Sequence, residues 1–238
     1  LTAKGYRVIT LDLPAHGLSG PTPEGLYTSA AYVGIVEKLV DRLGLTRFAL
    51  GGNSMGGGVA WRYAVAHPER LTALILVDAS GKPMPKGSSP PIGFRLARIP
   101  VARDILATVT PRSLIDSSFK QSVSNQAIAT PAMIDRYWEL LLYPGNRRAT
   151  VQRFGQYSGD DGMAAKLKGL TVPTLIIWGR EDRLIPVSVA AWFNQQIPGS
   201  RVTILDGIGH IPMEEAPERS LAPVLELLSA AQTPPQTA

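Results

Sequence analysis

At 238 residues the chain is long enough for one α/β domain carrying an insertion, and with 45% hydrophobic and 18% charged residues its composition is globular rather than disordered. Its formal charge of +5 comes from Lys and Arg scattered along the sequence without interleaved aromatic residues, which argues for a solvated basic face and against a nucleic-acid partner. There is no cysteine, which excludes disulfides, thiolate metal sites and a cysteine nucleophile, and no apolar run approaches the roughly 18 residues a bilayer crossing requires.

The opening Leu1-Thr2-Ala3-Lys4-Gly5 reads as the end of a helix already under way. Residues 6–13 (Tyr-Arg-Val-Ile-Thr-Leu-Asp-Leu) form a β-branched, mostly apolar run between Gly5 and Pro14, the pattern of a strand buried in a sheet. A loop of turn residues follows at 14–21 and contains His16. Ala31, Ile35, Leu39 and Leu43 then recur near helical spacing, predicting a helix over 28–43 that Gly44 ends.

The run Arg47-Phe48-Ala49-Leu50 leads into Gly51-Gly52-Asn53-Ser54-Met55-Gly56-Gly57-Gly58, and then into a helical stretch stopped at His67-Pro68. A serine between strand and helix, in the spacing Gly52-x-Ser54-x-Gly56, is the pattern of a nucleophile elbow. Glycines at 52 and 56 let two backbones approach where side chains would obstruct them. The helix behind Ser54 begins with amides that lack an intrahelical partner, and its dipole is positive there, so the Met55 N–H can donate to an oxyanion. The plainer reading is a glycine-rich turn whose serine caps a helix.

Residues 71–77 (Leu-Thr-Ala-Leu-Ile-Leu-Val) predict another buried strand, leading to Asp78. Strand and helix alternating at this pace imply a parallel sheet with right-handed crossovers. The rhythm then breaks. Residues 83–93 are dense in Pro, Gly and Ser, and from there to about 168 apolar residues such as Phe94, Ile99, Ile105, Met133, Tyr137 and Leu141 recur at helical spacing. Pro111, Pro131 and Pro144 divide this stretch into short helices, expected to cover one end of the sheet with most apolar side chains in core and a minority on a pocket. The sheet resumes at 172–178, a helix spans 188–196, a short strand 201–205, and a loop at 206–213 holds His210. A helix over 218–230 closes the fold. The expected organisation is core over 1–82, a helical cap over 83–168, core again over 169–230, and a tail over 231–238.

A serine hydroxyl needs a base within reach, and the base needs an orienting acid. Of the three histidines, His67 reads as a surface or helix-capping residue before Pro68, and His16 as a structural turn residue. His210, in a glycine-flanked loop just after the last strand, is the best base. Asp182 follows a buried strand end through a tight turn at Gly179 and is the leading acid; Glu181 projects differently, Asp78 is the geometric runner-up, and Asp206 reads as a turn residue. Parallel strands deliver their C-terminal ends to one edge, so Ser54, Asp182 and His210 can converge although far apart in sequence.

Gly52-Asn53-Ser54-Met55-Gly56-Gly57, Leu-Ile-Ile-Trp-Gly-Arg-Glu-Asp182-Arg and Gly209-His210-Ile-Pro-Met-Glu-Glu-Ala-Pro together resemble the α/β-hydrolase superfamily, and so does their order of serine, acid and histidine. Leu-Asp-Leu-Pro-Ala-His-Gly-Leu-Ser19 resembles the loop after an early strand there. The resemblance implies a serine hydrolase with Ser54 as nucleophile, His210 as general base and later acid, Asp182 orienting the imidazole, the Met55 amide in the oxyanion hole, and no cofactor or metal. A serine nucleophile disfavours the dehalogenase and epoxide-hydrolase members, which use aspartate. Asn53 and the Trp-Gly-Arg run also resemble carbon–carbon bond hydrolases of ring-fission products, whereas Ile211 and Pro212 look more like general esterases. Family members carry further strands and a His-Gly loop, with a second oxyanion donor, before the segment that opens here, so an amino-terminally incomplete chain is expected.

The fold implied is α/β, a mostly parallel sheet flanked by helices with a helical cap insertion. The first functional expectation is a carboxylic-ester hydrolase acting on a small, largely apolar substrate through an acyl-enzyme. The alternatives are a carbon–carbon bond hydrolase and, in another class, a non-catalytic small-ligand-binding or inactive member. A small-molecule substrate is the expected partner, with no nucleic acid, no integral membrane segment and a cytoplasmic location.

Overall fold

The computed structural model describes residues 1–81, 88, 90, 92–97, 99–156 and 162–232. Its centre is a parallel sheet of four strands, β1 (Phe48–Asn53), β2 (Leu71–Val77), β3 (Thr174–Gly179) and β4 (Arg201–Leu205), hydrogen-bonded in that order. A parallel pair needs a crossover that returns the chain to the same end of the sheet. Helix α1 (Ser29–Arg42) precedes β1, helix α2 (Met55–Ala66) crosses from β1 to β2, and α8 (Ser188–Gln196) crosses from β3 to β4. A run of helices makes the middle crossover.

The strands read as nearly continuous apolar runs because both faces of the sheet are covered. Along β2, Leu74 and Leu76 join a core with Tyr32 of α1, Trp61 of α2 and Phe193 of α8. Ala73 and Ile75 point the other way, into a core with Leu227 and Leu228 of α10 (Pro217–Gln232). Strand β3 alternates likewise, Ile176 and Trp178 against Leu175 and Ile177. It begins at Thr174 rather than at 172 because Pro173 has no N–H for the ladder, although its carbonyl accepts from the Leu74 N–H at 2.9 Å.

Residues 6–13 depart from expectation. They belong to none of the four strands, and Val8, Ile9 and Leu11 are 41%, 43% and 39% exposed. An apolar run becomes a strand only where a neighbouring backbone supplies the ladder, and the edge of β1 makes no pairing with this segment. Helix α1 is also rotated from its expected face. Its N-terminus is capped by the Thr28 side chain, which accepts from the Ala31 N–H, but its core line is Tyr32, Val36 and Val40. Ile35 and Leu39 are half-buried and Leu43 is exposed. Two stripes at spacing four lie side by side in the sequence, and packing against α2 selects one of them.

Between β2 and β3 come α3 (Ile92–Leu96), α4 (Pro100–Leu106), α5 (Arg112–Ser122), α6 (Pro131–Leu142), α7 (Asn146–Gln156) and a 3₁₀ stretch at Met163–Gly169. The prolines act as boundaries: Pro111 precedes α5, Pro131 opens α6 beside a Thr130 cap, and Pro144 precedes α7. Phe119, Val123 and Ile134 form a small core with Ile211. The six apolar residues singled out above were expected to be mostly core, yet none is fully buried. Phe94, Tyr137 and Leu141 line a cavity, Ile99 and Ile105 are exposed, and Met133 packs partly on the small core. Short helices arranged around a hollow have too little mutual contact to bury whole stripes. The segment after Gly81 falls partly outside the described residues, and the connection at 157–161 and the tail from 233 fall outside them altogether. A short helix α9 (Pro212–Glu215) occupies the end of the expected His210 loop, and α10 runs from Pro217 to Gln232, past the expected end at 230.

Candidate active site

All four strands end at one edge of the sheet, and the candidate residues stand there. Strand β1 ends at Asn53, and Ser54 follows with φ 54° and ψ −118°, outside the regions ordinary residues adopt. Three hydrogen bonds hold this apex: the Ser54 N–H donates to the Val77 carbonyl at 2.9 Å, and its own carbonyl accepts from Gly58 at 3.0 Å and Ser80 at 2.9 Å. At Gly52 a Cβ would lie 2.3 Å from the Gly56 carbonyl carbon, so the strand cannot carry a side chain there. The steric role expected at position 56 itself falls instead on Gly57, where a Cβ would come within 2.5 Å of Ala79; at Gly56 it would meet nothing within 4 Å beyond its own helical turn.

The loops after β3 and β4 touch backbone to backbone, since a Cβ at Gly179 would lie 1.9 Å from the Gly209 carbonyl oxygen. In the first loop Asp182 Oδ1 accepts from the Leu184 and Ile185 N–H groups at 2.8 and 3.0 Å. Asp182 Oδ2 lies 2.7 Å from His210 Nδ1, and the two residues are 6% and 5% exposed. Because a carboxylate only accepts, Nδ1 is the protonated nitrogen, and Nε2 of the neutral imidazole carries the lone pair.

Several groups fix the His210 loop. The His210 N–H donates to the Ser122 carbonyl at 2.7 Å, and Asn53 Nδ2 donates to the His210 and Val77 carbonyls at 3.0 and 3.2 Å. Buried Glu215 accepts from the Gly209 N–H through one oxygen and from the Ser124 and Asn125 N–H groups through the other. The two loops and the end of α5 therefore form one hydrogen-bonded block. Neither Asn53 nor Glu215 was a predicted site residue; a carboxylate soon after the histidine was visible in sequence, but its three backbone donors were not.

Glu181 Oε2 accepts from the Ile208 N–H at 3.0 Å, and Asp206 pairs with Arg180 at the surface. The N–H of His67 caps α2 by donating to the Tyr63 carbonyl. Asp78, fully buried at the end of β2, accepts from the Gly179 N–H at 3.0 Å. Asp78, Asp182 and His210 each offer an atom within 4.8 Å of the others, which is metal-ligand proximity. A cation there would have to displace the hydrogen bond that already joins His210 to Asp182, so the donor set fits a proton better than a metal.

Ser54 and His210 open onto a cavity of about 490 Å³ with apolar walls that include Phe94, Leu114 and Ile211. His16, expected to be only a turn residue, also lines it. Burial above all, with Arg153 adding to it, lowers the His16 pKa to about 4, so this imidazole is neutral at neutral pH. Arg153 of α7 lines the same cavity, with Nη1 3.4 Å from Met55 Sδ and its guanidinium carbon 4.4 Å from the Phe154 ring centroid. Helix α7 is stitched to the segment after residue 14: Asn146 donates to the Gly17 carbonyl, Thr150 to that of Ala15, and Gln156 bridges Gly25 and Tyr27. In the sequence Arg153 was one scattered cation among many, and no spacing marked it.

A parallel sheet that presents a strained serine and a buried His–Asp pair at one edge defines an α/β hydrolase architecture. A family model described as alpha/beta hydrolase fold matches residues 1–217, and the chain belongs to that family. An uncharacterized protein from Mycobacterium bovis is 31% identical over 229 residues, covering 91% of this chain; the chain spans 66% of the length of that relative. A 2-hydroxy-6-oxononadienedioate/2-hydroxy-6-oxononatrienedioate hydrolase from Cupriavidus pinatubonensis is 29% identical over 220 residues, covering 88% of this chain and 72% of its own. Among solved structures, a meta-cleavage product hydrolase from Pseudomonas fluorescens IP01 matches with a TM-score of 0.81 at 21% identity, over 96% of this chain and 82% of that one, a likeness of fold.

Proposed function

We propose that this protein is a serine hydrolase whose substrate carries a carboxylate, and that it cleaves a carbon–carbon bond in a dienoic keto acid of the ring-fission type. Arg153 is the observation that carries this reading. It brings a guanidinium, which suits a carboxylate, into a largely apolar cavity shared with Ser54, beside an imidazole that stays neutral, and Asp12 and Arg147 are the other charged residues on its lining. The relative from Cupriavidus pinatubonensis, named for substrates of this kind, supports the same reading.

In this mechanism the helices at 92–156 act as a cap that closes the cavity over the elbow. His210 Nε2 takes the proton of the Ser54 hydroxyl while Asp182 holds the imidazole, and Ser54 Oγ adds to the ketone carbonyl. The Met55 N–H, at the positive end of α2, donates to the resulting oxyanion. The carbon–carbon bond then breaks. Ketonisation of the dienol, which moves its proton onto the carbon beside the ketone, precedes the cleavage. The electron pair of the broken bond therefore flows through the enone to the 2-oxo oxygen, which takes the proton from His210 as the hydroxydienoate leaves, and water releases the acyl group from Ser54 as a carboxylic acid. Ester hydrolysis uses the same acyl-enzyme and is the second reading, favoured by the apolar walls at Phe94, Leu114 and Ile211.

A fluorophosphonate probe is expected to label the wild-type chain and not Ser54→Ala. Arg153→Met is expected to lower kcat/KM about 100-fold on a coloured ring-fission product, followed by loss of its absorbance, because a buried charge pair is lost. Its effect on p-nitrophenyl acetate should stay below about threefold. Good ester turnover with no activity on the dienoate would leave the second reading standing, and an unlabelled Ser54 in folded protein would sink both.

A further inference from the structure

The Asp78 carboxyl has no role in the steps above. It ends β2 in the left-handed backbone region, with φ 43°, and its N–H donates to the Ile177 carbonyl at 3.0 Å. An aspartate held in that region is an uncommon conformation that tends to occur at functional positions. The side chain is fully buried. Oδ1 accepts from the Gly179 N–H, while buried Oδ2 meets no hydrogen-bond donor among the described residues.

The titratable groups that face this carboxyl are Asp182 on the loop after β3, His210 on the loop after β4, and, further off, Glu215 of α9. None of them can serve Oδ2 as a donor: His210 Nδ1 already donates to Asp182, and the other two are carboxylates. Asp182 is far better supplied, with the Leu184 and Ile185 N–H groups on one oxygen and His210 on the other. Two carboxylates this close in a buried site share a single charge, and the charge rests where the donors are.

We propose that Asp78 is a protonated carboxylic acid whose Oδ2–H donates to the Asp182 carboxylate, making Asp78 a positioning residue behind the His210–Asp182 pair. The orphaned oxygen then becomes a donor with an acceptor in reach. Burial, foremost, and the Asp182 charge next to it hold this carboxyl well above the ordinary range of an aspartate, against the opposing pull of the Gly179 N–H. Its service to Asp182 is orientation. A carboxylate pinned from behind presents Oδ2 squarely to His210, which keeps Nε2 aimed into the cavity.

The catalytic consequence rests on the serine hydrolase reading, whereas the proton does not, so the experiment separates them. The infrared difference spectrum between wild type and Asp78→Asn at neutral pH should show the carbonyl band of a protonated carboxylic acid in wild type, lost in the variant. Absence of that band overturns the proposal whether or not the chain is active. In the pH profile of kcat/KM for p-nitrophenyl acetate, the acidic limb should stay within about 0.3 units in Asp78→Asn, because a neutral donor replaces a neutral donor. A limb lowered by about one unit or more would mean that a negative charge had been removed beside His210, and would overturn the proposal. Asp78→Ala should lower kcat about tenfold with little change in KM, and Asp78→Asn should recover most of that loss. Equal loss in both variants rules out the positioning role. If Asp78→Ala does not fold, the Asn variant and the infrared band decide alone.

Discussion

His16 shows how one side chain acquires a character that its neighbours in sequence do not supply. Burial and the nearby Arg153 lower its folded pKa to about 4 from 6.5, so between those values the unfolded chain binds a proton at this site that the folded chain refuses. Stability contributed by the neutral imidazole is therefore complete above about pH 6.5 and is lost as the pH falls toward 4, by at most about 3 kcal/mol. The urea midpoint of wild type should fall more steeply between about pH 7 and pH 4.5 than that of His16→Asn, and parallel slopes would refute this assignment. The turn residues around His16 were legible in the sequence. Its partner Arg153 lies far along the chain on α7, and no local pattern could have joined them.

At the scale of elements, the helices between β2 and β3 are tied to the His210 loop through Glu215. One carboxylate gathers the N–H groups of Ser124, Asn125 and Gly209, and a tyrosine of α6, Tyr137, donates to the adjacent Glu214 at 2.8 Å. Glu215→Ala would leave three backbone donors without an acceptor in a buried place and should cost roughly 3–5 kcal/mol, read from chemical denaturation. Glu215→Gln retains one acceptor oxygen and should cost less. Where the fold survives, kcat on p-nitrophenyl acetate should fall more than KM rises, since the loop that holds His210 loosens while the cavity wall is unchanged. Unchanged stability in Glu215→Ala would show that these bonds do not hold the loop. The elements themselves were readable: the strand at 71–77, the helix at 188–196 and the strand at 201–205 fall where periodicity and turn residues put them. Which stripe of α1 faces inward was not readable, because two stripes were available and only α2 distinguishes them.

Across the whole molecule the protection of the backbone should follow the sheet. Strands β2 and β3 have neighbours on both edges and helices on both faces, so their amides should exchange several orders of magnitude more slowly than those of residues 6–13, which enter no ladder. Hydrogen exchange followed by mass spectrometry measures this directly, and strong protection at 6–13 would show that the segment finds a partner strand in solution. The sequence of 6–13 carries every local mark of a buried strand. What it lacks here is the neighbouring backbone that turns such a run into one.

By itself the sequence determined most of the alternation of strands and helices and the glycine-lined elbow around Ser54. Those features depend on residues close together in the chain, where spacing and turn chemistry are decisive. The tertiary structure alone decided that Gly57 rather than Gly56 is sterically confined, that Arg153 and His16 share a cavity with Ser54, that Glu215 ties the His210 loop to α5, and that Asp78 lies against Asp182. Each of these is a contact between distant segments in a buried setting, where the environment of a group depends on packing that no local pattern encodes.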